Sequence, residues 1–258
     1  MSRCAIFWLS LGFLTGSSWV CGAEHADLPP SHSVEPELVA TGFAFPAGPA
    51  LNAAGDLFVA NYRELGTIGR IGVDGTASIL CDLREAVPLE NREPQANGIK
   101  LDGEGRLIVA DAVGGRLLRV AADGAKVEVL AERSEGERFD SLGDVALDRQ
   151  GNIYFTDPGT STAENPTGSV YRYDVRTGRV ALLAKGLAFP NGIAVTADQQ
   201  KLCVAESLQY RVLVFDLTRN GTVQNQRVLV DFPDETRGTF VGGKFDPDGE
   251  LSVCAFGK

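Results

Sequence analysis

The folded part of this 258-residue chain is expected to contain no histidine, because its two histidines, His25 and His32, lie in a polar, proline-containing segment near the N-terminus. Their absence from the domain excludes a Ser-His-Asp triad, a Cys-His pair, a histidine zinc site and a histidine general base. Chemistry in the domain must therefore use carboxylates, amides, hydroxyls, lysine, or an oxygen-bound metal such as calcium.

Clustered basic residues, helical periodicity and metal-type cysteine spacing are also missing. The net charge is −10 and basic runs are short, which argues against nucleic acid because neutralising phosphates takes grouped Lys and Arg. No stretch has a useful amphipathic helical period, and no C-x-x-C occurs. Cys81, Cys203 and Cys254 fall in apolar strands. We expect them to be buried small hydrophobic residues, with a disulfide between some pair as the alternative.

Residues 1–23 are predicted to be an export signal. Arg3 supplies the positive start, AIFWLSLGFLTG the apolar stretch, and VCGA a small-residue site cleavable after Ala23. The apolar stretch is shorter than the roughly 20 residues that span a bilayer. A lipoprotein anchor at Cys21 is the weaker alternative, because bulky residues precede that cysteine. We therefore expect an exported protein, periplasmic or extracellular, with no membrane attachment after cleavage and with residues 24–37 as a linker.

One short phrase recurs five times between residues 47 and 255. Each copy has an apolar strand, a polar turn, a second apolar strand and usually an acid or Asn at its end. The aligned turn residues are Gly55, Gly105, Gly151, Gln200 and Gly249, spaced 50, 46, 49 and 49 residues apart. One such hairpin cannot bury its apolar face alone, so this period predicts a propeller. The copies are residues 47–61 (AGPALNAAGDLFVAN), 97–111 (NGIKLDGEGRLIVAD), 143–157 (GDVALDRQGNIYFTD), 191–206 (NGIAVTADQQKLCVAE) and 241–255 (VGGKFDPDGELSVCA).

Two further strands follow the phrase in each complete unit, which gives the four strands of a propeller blade. We therefore predict an all-β propeller domain over residues 38–258, with four complete blades and a fifth that stops after its second strand. An unclosed ring leaves sheet edges open, so we expect a six-bladed type that lacks about 50–70 C-terminal residues. A five-bladed ring closed by residues 37–43 (ELVATGF) is the alternative.

The opening residues of the five phrases are predicted to ring one mouth of the central channel, because the start and end of a hairpin lie at the same edge of a blade. The closing residues are expected near the same face but farther from the axis, where such residues tie down loops more often than they bind ligands. A ring of Asn and acid oxygens suits a hard cation. The opening residues are Ala47, Asn97, Gly143, Asn191 and Val241, and the closing ones are Asn61, Asp111, Asp157 and Glu206.

Residues 38–258 resemble the six-bladed family of gluconolactonases, senescence-marker proteins (regucalcins) and sugar-lactone hydrolases. The motifs that carry the resemblance are GFAFPAGPA, GNIYFTDPG, LAFPNGIAV and DPDG. The resemblance implies a divalent metal at the channel mouth, calcium before zinc or magnesium. In the family, Glu of an E-G-P phrase, Asn of a P-N-G phrase and Asp of a P-D-G phrase hold the metal, and an Asn of an N-D phrase helps to bind metal or substrate.

Carried onto this sequence, the family pattern makes Asn191, in an intact PNG, and Asp248, in a PDG, the metal ligands. The repeat alignment instead makes Asp248 part of a hairpin turn and places Val241 at the channel. Asp144, the acid of the N-D phrase, becomes the catalytic carboxylate that assists attacking water. Asn97 has no constant counterpart in the family, and we assign it to substrate binding because its register places it at the channel.

Two departures from the pattern weaken the expected site. Ala47 stands where the family has Glu, and Gly143 stands where it has Asn, so we expect weak metal binding. Structural alternatives also remain open. Asn-Gly is a common hairpin-turn dipeptide, so Asn97 and Asn191 could be turn residues, and Asp144 could hydrogen-bond backbone amides between blades.

Two functions agree with this pattern. The first, implied by the resemblance, is a divalent-metal-dependent hydrolase of small lactones, aldonolactones above all, in which the metal polarises the ring carbonyl and Asp144 assists water. The alternative is a non-catalytic binding or scaffold propeller that has lost metal ligands, since one fold hosts many functions. The expected partner is a small lactone or sugar-acid derivative rather than nucleic acid. The sequence identifies neither the lactone nor the oligomeric state.

Overall fold

The structure, a computed structural model, describes residues 38–62 and 66–232 and the backbone of three further strands near the chain ends. These three are β1 (Ala5–Leu9), β20 (Thr239–Phe245) and β21 (Leu251–Phe256).

Four antiparallel sheets of four strands follow one another along the chain, and in each the strands pair in sequence order. These sheets are the four predicted blades. Blades one and two contain β2 (Pro46–Leu51), β3 (Leu57–Asn61), β4 (Thr67–Ile71), β5 (Ala77–Asp82), β6 (Ala96–Leu101), β7 (Leu107–Asp111), β8 (Arg116–Val120) and β9 (Val127–Ala131). Blades three and four contain β12 (Val145–Leu147), β13 (Ile153–Asp157), β14 (Gly168–Asp174), β15 (Arg179–Leu187), β16 (Pro190–Val195), β17 (Lys201–Glu206), β18 (Arg211–Leu217) and β19 (Val223–Asp231).

The first strands of consecutive blades, from β2 through β6, β12 and β16 to β20, lie side by side. This order confirms the all-β propeller that the repeat predicts. The remaining described elements are short: a helix at Leu83–Ala86, a 3-10 turn at Ser207–Gln209, and a hairpin of β10 (Arg133–Ser134) and β11 (Glu137–Arg138). Among the described residues no helix has the length and apolarity needed to cross a membrane.

The fifth sheet has three strands, because β1 pairs antiparallel with β21, which also pairs with β20. β1 lies inside residues 1–23, the predicted export signal. This pairing does not test whether the segment is removed, so the signal, the linker and the expected truncation stay predictions. Residues 38–43, which would close a five-bladed ring in the alternative, contain no strand.

The turn of each repeated hairpin requires one residue with a left-handed backbone conformation. Gly55, Gly105 and Gly151 have φ of +93°, +75° and +82°, a conformation that glycine adopts without steric cost. In the fourth blade the left-handed residue is Gln199, with φ of +62°. The sequence alignment placed Gln200 there, and it was one residue off because the fourth phrase is one residue longer.

Apolar side chains pack between consecutive blades. One cluster joins blades one and two and includes Phe58 and Leu118, and another joins blades two and three around Ile108 and Phe155. A third joins blades three and four around Tyr154. Each blade therefore depends on its neighbours for burial, as expected for a repeat architecture.

Two cysteines are small hydrophobic residues of the core, Cys81 in the cluster between blades one and two and Cys203 in a separate cluster of blade four. Cys81 and Cys203 are buried and free, as predicted, and burial raises the pKa of both thiols, that of Cys203 to about 12. The side chain of Cys254 lies outside the described residues.

Candidate functional site

A β-bulge marks the opening position of the first strand in four blades. The pairing register shifts across Asn97 in β6, across Asn191 in β16 and across Val241 in β20, and it shifts just after Ala47 in β2. Bulges re-aim side chains and occur often at barrel rims and beside active sites. The bulges therefore mark the predicted mouth as a candidate site.

The opening residues of the four described blades form a continuous arc, which is one side of the expected ring. A Cβ added to Gly48 would overlap the carbonyl oxygen of Asn97, so blades one and two touch through their backbones. The Gly98 N–H donates to the Gly143 carbonyl at 3.1 Å, which joins blades two and three. Gly143 in turn lies against blade four, since a Cβ there would be 3.2 Å from Asn191 Oδ1.

Asp144 brings a carboxylate to this arc and connects three blades. Its Oδ1 accepts from the Val145 N–H at 2.8 Å, and its Oδ2 accepts from the Ile193 N–H of blade four at 3.3 Å. The Lys100 Nζ of blade two lies 3.6 Å from Oδ1, and 13% of the Asp144 side chain is exposed. Gly98 makes room for the carboxylate, because any Cβ at that position would overlap it.

The side-chain amides of Asn97 and Asn191 are available to a ligand. Both residues are half-buried, and neither side chain hydrogen-bonds to a described residue. Both also lie inside strands, and the hairpin turns are made elsewhere, at residues 102–105 and 196–199. The hairpin-turn alternative for the two Asn-Gly pairs is therefore wrong.

Gly143 has little space for a side chain. A Cβ there would be 2.8 Å from Thr156 Oγ1 and 3.3 Å from Pro158 Cδ. The Thr156 hydroxyl is itself fixed, because it accepts from the Asp144 N–H at 3.0 Å and donates to the Asn191 carbonyl at 2.7 Å. An Asn at position 143, as in the family pattern, would require this hydroxyl to move.

The closing residues of blades one and two fasten loops. Asn61 Oδ1 accepts from the Ala44 N–H at 2.7 Å. Asp111 Oδ1 accepts from the Gln95 N–H at 2.9 Å, and its Oδ2 accepts from Arg116 at 2.9 and 2.7 Å. The two donor N–H groups belong to Ala44 and Gln95, which precede the first strand of their blades. The side chains of Asn61 and Asp111 therefore fix the segment that leads into that strand.

The closing residues of blades three and four also accept hydrogen bonds from backbone N–H groups that precede the first strand. Asp157 accepts from the Ser141 N–H at 2.8 Å, and Glu206 accepts from the Ala188 N–H at 2.8 Å and from Arg211 Nε at 2.6 Å. Burial raises the pKa of Asp157, which has no ion-pair partner among the described residues. The four closing residues therefore hold loops, as the sequence reading favoured, and are not placed as metal ligands.

One predicted ligand cannot be located. Asp248 falls within residues 246–250, outside the described residues, so its role stays a prediction. Val241, which the repeat alignment places at the channel, belongs to β20, where only the backbone is described.

A second concavity of about 580 Å³ lies between blades three and four, at the end of the hairpins opposite the mouth. Its lining includes Asn152, Tyr154 and Arg172. The Tyr154 hydroxyl donates to Asp148 Oδ2 at 3.2 Å, and burial raises the pKa of Tyr154 to about 12. No predicted site residue lines this concavity.

Comparison with known families gives one match that covers just over half of the chain. Residues 125–258 match the model of the SMP-30/gluconolactonase/LRE-like region. The chain belongs to this family.

Two curated relatives of this family member differ in chemistry. A gluconolactonase from Zymomonas mobilis is 30% identical over 181 residues, which are 64% of this chain and 51% of the relative. A diisopropyl-fluorophosphatase from Loligo vulgaris is 27% identical over 238 residues, which are 82% of this chain and 72% of the relative. The chain thus spans about half the length of the Zymomonas gluconolactonase it matches.

Solved structures support the fold of this family member. A gluconolactonase from Xanthomonas campestris superposes with a TM-score of 0.69 at 23% identity, covering 85% of this chain and 78% of that one. A calcium-binding regucalcin from Agrobacterium tumefaciens gives a TM-score of 0.65 at 18% identity, covering 83% and 68%. At these identities the likeness establishes the propeller fold alone.

The described residues of this SMP-30/gluconolactonase-family chain do not fit a hard divalent cation. Ala47 and Gly143 offer no side-chain donor, and Asn191 offers a neutral amide. The carboxylate of Asp144 already faces Lys100 and two backbone N–H groups. The part of the chain that the structure describes contains no group of three or more His, Cys, Asp or Glu side chains suited to a metal, whereas calcium takes six to eight oxygen ligands, carboxylates prominent among them.

Sequence reasoning missed two residues of this mouth. Thr156 gave no signal, because a threonine within a buried strand is ordinary. Lys100 carried only a partial signal, since the aligned repeat has alanine at the same place in the other three complete blades but lysine, Lys244, in the fifth copy.

Proposed function

We propose that this chain hydrolyses a small lactone at the mouth of its channel, with aldonolactones as the favoured substrates. The proposal is supported by the Asp144 carboxylate, which lies against Gly98 in the strand of Asn97 and accepts from the Ile193 N–H in the strand of Asn191, and by the amides of Asn97 and Asn191, which have no side-chain partner among the described residues. Family membership supports the reaction class, because the Zymomonas relative is a gluconolactonase.

Asp144 is the proposed general base. The N–H groups of Val145 and Ile193 fix its two oxygens, and its partial exposure lets a water molecule reach it. The water oxygen bonds to the ring carbonyl carbon as a water proton passes to Asp144. The ring C–O bond then breaks, and the leaving alkoxide takes that proton. The product is an open-chain hydroxy acid.

Asn97 and Asn191 are proposed to orient the substrate. Each amide carries two N–H donors and one acceptor oxygen, a combination that suits the hydroxyl groups of an aldonolactone. We propose that divalent metal binds weakly, because Ala47 and Gly143 supply no oxygen where the family pattern has Glu and Asn. Hydrolysis in this proposal therefore uses the side chains of the chain itself.

A direct test compares acid release from D-glucono-lactone, above the spontaneous rate, for the chain and its variants. We expect Asp144→Asn to lower kcat roughly 10²–10⁴-fold, the usual contribution of a positioned general base, and Asn191→Ala to raise KM. The control is Asp123→Asn, because Asp123 is an exposed turn residue at the opposite end of blade two. Unchanged turnover in Asp144→Asn would contradict the assignment.

A binding propeller without turnover is the second candidate, favoured by the missing donors at Ala47 and Gly143. Calorimetry with D-glucono-lactone and with gluconate separates the two candidates. Saturable binding to a chain that shows no lactone turnover would support the binding function and reject hydrolysis.

Export is also a proposal, supported by residues 1–23. Expression in a bacterium, followed by fractionation and mass spectrometry of the N-terminus, tests it. A periplasmic or secreted chain that begins at Glu24 is expected, whereas a cytoplasmic chain that still begins at Met1 would contradict it.

A further inference from the structure

Lys100 differs from the residue at the same position of the phrase in the other complete blades, whereas the fifth copy also has a lysine there, Lys244. Lys100 is the fourth residue of the phrase in its blade, where it pairs with Ile108. At the same position the other three described blades have Ala50, Ala146 and Ala194. The ring accommodates a methyl group there, so the lysine is not required for the fold of a blade.

The Lys100 ammonium lies at the candidate site. Its Nζ is 3.6 Å from Asp144 Oδ1 and 3.4 Å from the Ile99 carbonyl oxygen, and 23% of the side chain is exposed. Both contacts are long for hydrogen bonds. An ammonium has three donors, so at least one N–H is available to a ligand that enters beside Asp144.

We propose that Lys100 supplies, at this mouth, the positive charge that a divalent cation would otherwise provide. The proposal rests on the lactone hydrolysis proposed above. Lys100 Nζ donates a hydrogen bond to the carbonyl oxygen of the lactone, while Asp144 takes the proton of the attacking water. When the water oxygen bonds to the carbonyl carbon, the carbonyl electron pair moves to its oxygen, and that oxyanion stays paired with the ammonium without proton transfer. Ring opening restores the carbonyl, and the leaving alkoxide takes the proton from Asp144.

The same placement disfavours a metal ion. Asp144 is the carboxylate at the described part of the ring, and Lys100 compensates its charge. A divalent cation there would meet neutral amides, the methyl group of Ala47 and a nearby positive charge. Hydrolysis by this chain is therefore metal-independent, and removal of Lys100 together with restoration of a carboxylate at position 47 creates a metal site.

The first experiment measures kcat and KM for D-glucono-lactone with and without EDTA. We expect no effect of EDTA on the unaltered chain. Lys100→Ala should lower kcat roughly 10²–10³-fold, the usual loss on removing an oxyanion donor, with a smaller change in KM, and Lys100→Arg should keep more activity than Lys100→Met. The control Lys126→Ala alters an exposed lysine distant from the mouth. Loss of activity in EDTA with recovery in calcium, or unchanged kcat in Lys100→Ala, would overturn the proposal.

Calorimetry with calcium provides a readout that needs no turnover. Lys100→Ala combined with Ala47→Glu should bind calcium at least about tenfold more tightly than Ala47→Glu alone, and the unaltered chain should bind it most weakly. Equal affinities in the two variants would overturn the role of Lys100 charge. Melting curves identify any variant that fails to fold, in which case Lys100→Met replaces Lys100→Ala. If the unaltered chain binds lactone but shows no turnover, the proposed function fails, and the calorimetry still decides whether Lys100 opposes metal binding.

Discussion

Neutralising Asp111 should destabilise the propeller far more than neutralising its counterpart in the next blade. Asp111 and Arg116 are buried, with 0% and 5% of their side chains exposed, and two N–H groups of Arg116 donate to Asp111 Oδ2 at 2.9 and 2.7 Å. Asp111→Asn keeps the shape of the side chain but leaves the guanidinium without its counter-charge. We therefore expect a loss of about 3–5 kcal/mol in the free energy of unfolding, typical of breaking a buried pair.

Asp157→Asn is the matched control. Asp157 occupies the same closing position in blade three, accepts backbone N–H groups from Asp140 and Ser141, and has no arginine partner among the described residues. Blade one uses the amide of Asn61 in this role. An amide at 157 loses one backbone hydrogen bond, which costs about 0.5–1.5 kcal/mol.

Urea unfolding followed by circular dichroism measures both losses through linear extrapolation. Tryptophan fluorescence is less suitable, because Trp8 and Trp19 lie outside the four complete blades. The two losses should differ by at least about 2 kcal/mol, the gap between the two estimates above. Losses that agree within about 0.5 kcal/mol, the usual scatter of such comparisons, would refute the claim that the uncompensated guanidinium sets the cost.

The pH dependence gives a second check on Asp157. Burial raises its folded pKa above the ordinary value of 3.8, so the folded state holds this proton more tightly than the unfolded state. The contribution of Asp157 to stability is therefore largest at low pH and is lost as pH rises through the folded pKa. The advantage of the unaltered chain over Asp157→Asn should grow as pH falls from 7 toward that pKa, and an advantage that shrinks would contradict the assignment.

Three further predictions concern other parts of the fold. Gly98→Ala should lower the free energy of unfolding by about 1–3 kcal/mol and impair lactone turnover, because its Cβ would be 2.6 Å from Asp144 Cα. Gly103→Ala is the control: a Cβ at position 103 has no neighbour within 4 Å, so this variant should keep both its stability and its turnover. Because the pKa of Tyr154 is raised from 10.0 to about 12, the unfolded state ionises first, so stability should fall from pH 10 upward, and the fall should be smaller in Tyr154→Phe. The Cys203 thiol, buried and with a pKa of about 12, should resist alkylation at pH 8 until urea unfolds the chain, as peptide mapping would show.

The sequence was sufficient for the architecture because every blade repeats the same hairpin, and the ends of a hairpin have a fixed geometric relation. That relation placed Asn97 and Asn191 at one mouth and the closing acids behind them. It could not reveal the role proposed for Lys100, because that role depends on the contact of Lys100 with Asp144 across two blades and not on its position in the repeat. Nor could it foresee the pairing of β1 with β21, because an apolar stretch such as AIFWL serves equally as the core of an export signal or as a strand.

Two residues that differ from their counterparts in the other complete blades, Asp144 and Lys100, meet at one interface. At the second position of the phrase, Gly48 and Gly98 let neighbouring strands approach closely, whereas blade three has Asp144. The aspartate fits because Gly98 opposite it has no Cβ, and Lys100, two residues farther along the same strand, balances its charge. Each change alone carries a cost: an acid without the glycine would clash, and a lysine without the acid would leave a half-buried charge unpaired. Their occurrence together is the reason to place the proposed hydrolysis between blades two and three.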